Sequence, residues 1–198
     1  LGDVYKRQVC KISLNAGFTC PNKDGTKGYG GCIYCSKLGS GDFAGNKEKD
    51  LITQFNEVKE IMKKKWPDAL YIGYFQANTN TYAKTEVLKQ KYEPILELEN
   101  VIGLNIATRP DAITEDCLDY LEELSTRTYL TVELGLQTIH EKTTKLINRG
   151  HDLECFTNMV KELRKRNINV VVHIINGLPY ETKEMMLETV EYLSLIHI

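Results

Sequence analysis

The chain has 198 residues, 42% hydrophobic and 26% charged, with a formal net charge of −2, which suits one domain or one and a half of a soluble globular protein and excludes a global basic field for nucleic acid or anionic membrane. No apolar run is long enough to span a bilayer and no signal-peptide pattern is visible, so the expected setting is the cytoplasm, without a membrane partner. Six cysteines in a reducing compartment point to a metal or redox site rather than a disulfide framework.

The two ends are read apart from the rest. LSLIHI (Leu193–Ile198) back-translates as CTG TCT CTT ATA CAC ATC, whose reverse complement encodes DVYKRQ (Asp3–Gln8). One DNA sequence read in opposite senses accounts for both, and it resembles a transposase mosaic-end adapter. Residues 1–8 and 193–198 are therefore read as adapter artefact, and residues 9–192 as the domain, incomplete at its C-terminus.

Between those ends, strand and helix patterns alternate. VCKISL (Val9–Leu14) is a short β-rich run before a cysteine loop. Asp50 is placed to cap a helix with Leu51, Phe55, Val58 and Ile61 on one face, ended by Pro67. ALYIGYF (Ala69–Phe75) is a near-continuous apolar strand. The helix from about Lys84 is expected to split or restart at Pro94, because proline lacks the N–H and clashes in a helix interior. VIGLNIA (Val101–Ala107) is the third strand, followed by a helix over Thr114–Leu124. YLTVELGL (Tyr129–Leu136) is the fourth, and Thr138 with Glu141 has capping-box spacing for a short helix. Asp152 opens a helix with Leu153, Phe156, Val160 and Leu163 on one face. INVVVHII (Ile168–Ile175) is the fifth strand, and a last helix begins near Thr182.

Apolar strands joined by helical crossovers predict a parallel α/β sheet, either open and doubly wound or a barrel or part-barrel. In both, chemistry sits at the carboxyl ends of the strands. The unusual segments all lie there: the cysteine loop, QANTNT, TRPD, GLQT and NGLPYET.

The loop CPNKDGTKGYGGCIYC holds Cys20, Cys32 and Cys35 with the spacing C-x11-C-x2-C. A structural zinc site or an ordinary ferredoxin cluster takes four protein ligands. Three thiolates on a cubane leave its fourth iron open to a substrate or cofactor. A zinc knuckle with a distant fourth ligand is the competing reading, which would make the chain a zinc- or cluster-stabilised binding module. No fourth Cys or His lies nearby in sequence to support it. Cys10, Cys117 and Cys155 read as small buried hydrophobes.

This arrangement resembles the radical S-adenosylmethionine (SAM) superfamily, although the eleven-residue gap departs from its usual C-x3-C-x2-C. Gly25, Gly28, Gly30 and Gly31 would let the longer loop fold back. VELGLQTIHEKTTKLINRGHD (Val132–Asp152) is similar to a stretch of the Elongator catalytic subunit and of oxygen-independent coproporphyrinogen oxidases, and TRPD (Thr108–Asp111) also matches Elongator. LNAGFTCPNKDGTKGYGGCIYC, GSGDFAG and INGLPYET resemble a bacterial radical-SAM family of the YhcC/YtqA type. The resemblance implies a partial TIM-type (βα)6 barrel, here cut to about five βα units, with VVVHII left as an unpaired apolar edge.

The same resemblance implies site roles. Cys20, Cys32 and Cys35 would ligate a [4Fe-4S] cluster, with SAM on the open iron. Tyr34 stands where an aromatic residue contacts adenine, and Gln137 where a glutamine binds the ribose. Glu133, on the same side of its strand, is a second polar contact or a structural hydrogen bond. Arg149 falls where an arginine takes the SAM carboxylate, its alternative being a surface salt bridge. His173 replaces an aspartate that contacts ribose, so it keeps that contact or is a core histidine. Gln76-Ala77-Asn78 replaces Gly-Gly-Glu, and Asn78 would hold the SAM amino group or serve a turn. Ala107 replaces a glutamate, whose contact is absent. Gly177 and Pro179 shape the loop after the fifth strand. The implied activity is reductive SAM cleavage to a 5′-deoxyadenosyl radical that takes hydrogen from a substrate the sequence does not identify. A small electron donor of flavodoxin or ferredoxin type is the implied partner. Elongator adds RNA as a candidate by analogy, and with it a tRNA-modification alternative. The basic runs Lys63–Lys65 and Lys161–Arg166 read instead as solvated helix faces.

Overall fold

The computed structural model describes residues 7–196; the expected adapter residues 1–6 and 197–198 lie outside the described residues. Five strands run in order: β1 (Val9–Leu14), β2 (Leu70–Phe75), β3 (Val101–Thr108), β4 (Tyr129–Gln137) and β5 (Asn169–Ile174). The helices between and after them are α1 (Leu51–Lys63), α2 (Thr85–Leu96), α3 (Glu115–Arg127), α4 (Glu141–Leu146), α5 (Leu153–Lys165) and α6 (Lys183–Leu195). A single 3-10 turn, Pro110–Ala112, follows β3.

Every strand pair is parallel and the sheet order is β1-β2-β3-β4-β5. A doubly wound sheet reverses its strand order at a switch point, whereas this one advances one strand at a time. The sequential order is that of a part-barrel. Helices pack on one face of it: Ile12, Leu14, Phe75, Ile106, Val132 and Leu134 meet Phe55, Leu88, Tyr92, Leu121, Phe156 and Leu163 in one core. Alternation along the strands sends the other set of side chains to the opposite, concave face. Lys11, Tyr74, Asn105, Glu133 and His173 belong to that set.

The local signals explain most boundaries. Asp50, Thr114, Asp152 and Thr182 each accept a hydrogen bond from the backbone N–H three residues on, as side-chain N-caps. Three expectations are corrected. Pro94 does not split its helix, which runs unbroken over Thr85–Leu96. It sits in the last turn, so it forfeits one hydrogen bond near the end, and the Glu97 N–H still reaches the Glu93 carbonyl at 3.3 Å. Ile61 is 67% exposed rather than core-facing. The helix turns Met62 and the stem of Lys59 inward instead, and the Lys59 ammonium donates to the Glu99 carbonyl. Thr138 forms no capping box with Glu141. His140 occupies the N-cap, and the Thr138 hydroxyl donates to Glu181 at 2.5 Å.

β5 is the second edge of the sheet, and its side chains alternate between exposed and half-buried. Of the C-terminal segment read as adapter, Leu193 and Ile196 pack against the core. Among the described residues no helix is long and apolar enough to cross a membrane.

Candidate functional site

A cavity of about 370 Å³ opens at the carboxyl ends of the strands. Its walls include Cys20, Cys32 and Cys35 from the loop after β1, Asn78 after β2, Arg109 after β3, Gln137 at the end of β4 and His173 on β5. Tyr34, Tyr74, Glu133 and His151 also line it. The size falls within the range of small-molecule sites, roughly 300–1,000 Å³.

The long cysteine gap folds back on itself. The Lys27 and Gly28 N–H groups both donate to the Pro21 carbonyl, the Gly31 N–H donates to the Asn22 carbonyl, and Asp24 bridges Tyr29. Eleven residues are thus taken up in a compact knot, and Cys20 and Cys32 return to one cavity. All three thiols are free. Among the described residues no group of three or more Cys, His, Asp and Glu is gathered tightly enough to hold a metal ion. The three thiols line one cavity from different points of the loop.

The polar residues of the cavity wall have separate geometries. Gln137 is 7% exposed, adopts φ 61°, and its Oε1 has no hydrogen-bond partner. A buried carbonyl oxygen of this kind is costly unless a ligand donor meets it. Gly135 makes room for this side chain: a Cβ there would lie 2.5 Å from Gln137 Nε2. Asn78 also has a positive φ, 60°. Its Nδ2 donates to the Phe18 carbonyl and its Oδ1 accepts from Lys23 Nζ at 3.2 Å, so the oxygen expected to hold an amino group already receives one. Tyr34 is raised well above the ordinary tyrosine range by burial and by its contact with Cys32.

Arg149 lies on the same rim but turns its guanidinium away from the cavity. It is 1% exposed. It donates to the carbonyls of Leu136, Thr138 and His151, the last two at 2.7–3.0 Å. Burial pushes it down to about 10. In this conformation it clamps the β4–α4 connection, and neither a SAM carboxylate nor a surface salt bridge describes it. Sequence reasoning passed over Arg109, which does line the cavity. Arg109 forms a bidentate pair with Asp111, both contacts 2.9 Å, and donates through Nη1 to the Arg149 carbonyl at 2.7 Å. The Arg109–Asp111 pair, two residues apart in TRPD, was the available signal. His151 is held down at about 4 by burial and by the neighbouring Arg149 and Arg109.

The cavity floor is a polar layer spanning all five strands. Glu133, 2% exposed, accepts from Lys11 Nζ at 2.6 Å, Asn105 Nδ2 at 2.6 Å and pairs with His173 Nε2 at 2.7 Å. Tyr74 meets the same carboxylate, and the Lys11 ammonium lies 4.7 Å from the centre of its ring. Burial alone would raise the Glu133 carboxyl, but the bonds from His173, Lys11 and Asn105 outweigh it and hold the group at about 2. Each of Lys11, Asn105, Glu133 and His173 interrupts an otherwise apolar stretch of strand. That pattern could have flagged Lys11 and Asn105, which sequence reasoning missed.

The radical SAM superfamily model matches residues 20–193, from the first cysteine of the loop through most of the last helix. The chain belongs to the radical SAM superfamily. It is 56% identical over 189 residues to the uncharacterized protein YtqA of Bacillus subtilis, covering 96% of this chain and 59% of that one. It is 39% identical over 191 residues to YhcC of Escherichia coli K12, covering 94% and 60%. The chain thus spans about 60% of the length of these relatives. Two solved structures share the fold. The Elp3 of the archaeon Methanocaldococcus infernus aligns with TM-score 0.64 at 18% identity, over 94% of this chain and 42% of that one. The Escherichia coli coproporphyrinogen III oxidase HemN, described as a radical SAM enzyme, aligns with TM-score 0.61 at 17% identity, over 96% and 42%.

The basic runs remain on the outer helices. Arg166 pairs with Glu115, Glu122 and Glu162, and the Lys65 ammonium lies over the Trp66 ring. Lys63–Lys65 stays exposed, whereas the Arg166 side chain, 13% exposed, is enclosed by its carboxylate partners; neither run lines the cavity.

Proposed function

We propose that this chain is the core of a radical SAM enzyme, with a [4Fe-4S] cluster on Cys20, Cys32 and Cys35 and SAM beside it in the same cavity. The observation that carries the reading is the convergence of three free thiols and an unpartnered buried amide oxygen, Gln137 Oε1, on one cavity. When bound, cluster and SAM supply one-electron cleavage of the sulfonium and a 5′-deoxyadenosyl radical that takes a hydrogen atom from the substrate.

The chain's own residues hold, orient and enclose. Tyr34 offers an aromatic face for adenine. Gln137 Oε1 accepts from a ribose hydroxyl. Asn78, already donated to by Lys23, is better suited to shaping the amino end of the SAM site than to being its sole acceptor. Arg149 contributes by fixing the β4–α4 connection. Arg109, paired with Asp111 and bonded to the Arg149 carbonyl, braces the cavity wall. Glu133 and His173 belong to the floor layer, below the nucleotide-facing residues. Reduction is assigned to a small flavodoxin- or ferredoxin-type protein.

Anaerobic reconstitution tests the proposal. The expected result is about four irons and four sulfides per chain, then methionine and 5′-deoxyadenosine on adding SAM and dithionite. Zinc in place of iron, or a cluster without SAM cleavage, would favour the binding-module reading.

A further inference from the structure

Two of the cluster-loop sulfurs are not left bare. Asn22 Nδ2 donates to Cys32 Sγ at 3.4 Å, and Ser40 Oγ donates to Cys35 Sγ at 3.6 Å. Neither donor belongs to a ligand, and neither has an assigned role.

Asn22 is built into its position. It is 1% exposed. The same amide nitrogen donates to the Asn148 carbonyl at 2.6 Å, and the Asn22 carbonyl accepts from the Gly31 N–H at 2.8 Å. Two glycines clear space for its oxygen: a Cβ at Gly28 would lie 2.4 Å from Asn22 Oδ1, and one at Gly150 2.9 Å from it. Gly28 lies in the cysteine gap and Gly150 in the segment between α4 and α5. Asn148 returns the bond by donating to the Gly31 carbonyl at 2.8 Å. The two loops therefore meet around one amide, which points at a sulfur. Ser40, five residues beyond Cys35 in the same β1–α1 connection, reaches its sulfur from the cavity wall.

Hydrogen bonds to a thiolate stabilise negative charge on sulfur. On a cluster, reduction adds that charge, so donors to the ligating sulfurs make reduction easier and raise the potential. We propose that Asn22 and Ser40 are positioning residues that act through Cys32 and Cys35 to raise the reduction potential of the cluster those sulfurs hold. This rests on the cluster assignment above. The eleven-residue gap then serves a purpose, since the extension carries Asn22 and braces it against the segment between α4 and α5.

Redox titration of the anaerobically reconstituted chain, followed by visible absorbance and electron paramagnetic resonance, tests it. Ser40→Gly removes the hydroxyl while suiting the positive φ of 59° at that position. Asn22→Ala removes the other donor. Each variant is expected to titrate at a more negative midpoint than the wild type, and the double variant at the sum of the two shifts, because different sulfurs are involved. In resonance Raman spectra the wild-type iron–cysteine stretches should move in D₂O, with the movement reduced in Ser40→Gly. If Asn22→Ala fails to retain the loop, Ser40→Gly alone decides. Full iron content with an unchanged midpoint in Ser40→Gly overturns the proposal and leaves the cluster reading intact. A wild-type chain that takes up no cluster overturns both.

Discussion

At the residue scale, the six cysteines separate by environment. Cys117 is fully buried on the inner face of α3, and burial pushes its thiol up to about 12, so it is a neutral hydrophobe at any working pH. Cys32 stands on the cavity wall. Cys32→Ala is expected to abolish cluster absorbance and to reduce iron by more than half, while Cys117→Ala keeps both. Iron assay and visible spectra of the two variants decide, and equal loss would remove Cys32 from the ligand set. Glu133 permits a pH prediction. Its folded value of about 2 lies below the ordinary glutamate value of about 4.3. The stabilisation is therefore complete above the unfolded value and is lost as pH falls from about 4.5 towards 2. Glu133→Ala removes the counter-charge of Lys11 and the acceptor that Asn105 and His173 meet; Lys11 is half exposed, so the loss should be about 2 kcal/mol rather than the full cost of a buried pair. Urea unfolding of the apo-protein at pH 7 and again near pH 3 measures it, with the gap between variant and wild type closing at the lower pH. A gap independent of pH would mean that the network contributes packing and not charge. That the three cysteines and Gln137 share one rim was legible, because the ends of strands are sequence-local facts. Lys11 was not, because its meeting with Glu133, 122 residues away, depends on how strands stagger around a part-barrel.

At the element scale, caps were readable and clamps were not. Asp50, Thr114, Asp152 and Thr182 cap within three residues of themselves, so local sequence suffices. Thr138 misled for the opposite reason: a partner 43 residues away, Glu181, takes its hydroxyl and leaves the cap to His140. The β4–α4 connection depends on Arg149 in the same long-range manner. Its guanidinium holds carbonyls on both sides of α4, and its own carbonyl accepts from Arg109 and lies 3.9 Å from Cys32 Sγ. Arg149→Lys keeps the charge but loses the planar fork. The expected result is a destabilisation of about 2–3 kcal/mol, with SAM affinity and cluster retention falling together. Melting temperature, calorimetric SAM binding and iron content are the readouts. Weakened SAM binding with unchanged stability would instead restore the direct carboxylate contact.

At the scale of the whole molecule, the sheet has two edges, β1 and β5, and they differ. β1 carries Lys11, and a lysine on an edge discourages pairing with another chain. β5 reads Asn-Val-Val-Val-His-Ile, with Val171 43% exposed and Val170 and Val172 partly buried against the core. Its outer N–H and C=O groups face no neighbouring strand among the described residues, which makes it an apolar template of the kind that draws strands together. The 198-residue chain should therefore self-associate with rising concentration. The cysteine loop follows β1, at the other edge, so association through β5 should leave iron content untouched. Val171→Lys places a charge on the exposed concave side of β5 without entering the helix-packed core, and is expected to shift the chain towards monomer. Sedimentation velocity across a concentration series reads both outcomes. A wild-type chain that stays monomeric throughout the series, or a Val171→Lys variant that associates as strongly, would mean that β5 is protected by its twist or by the loop that follows it.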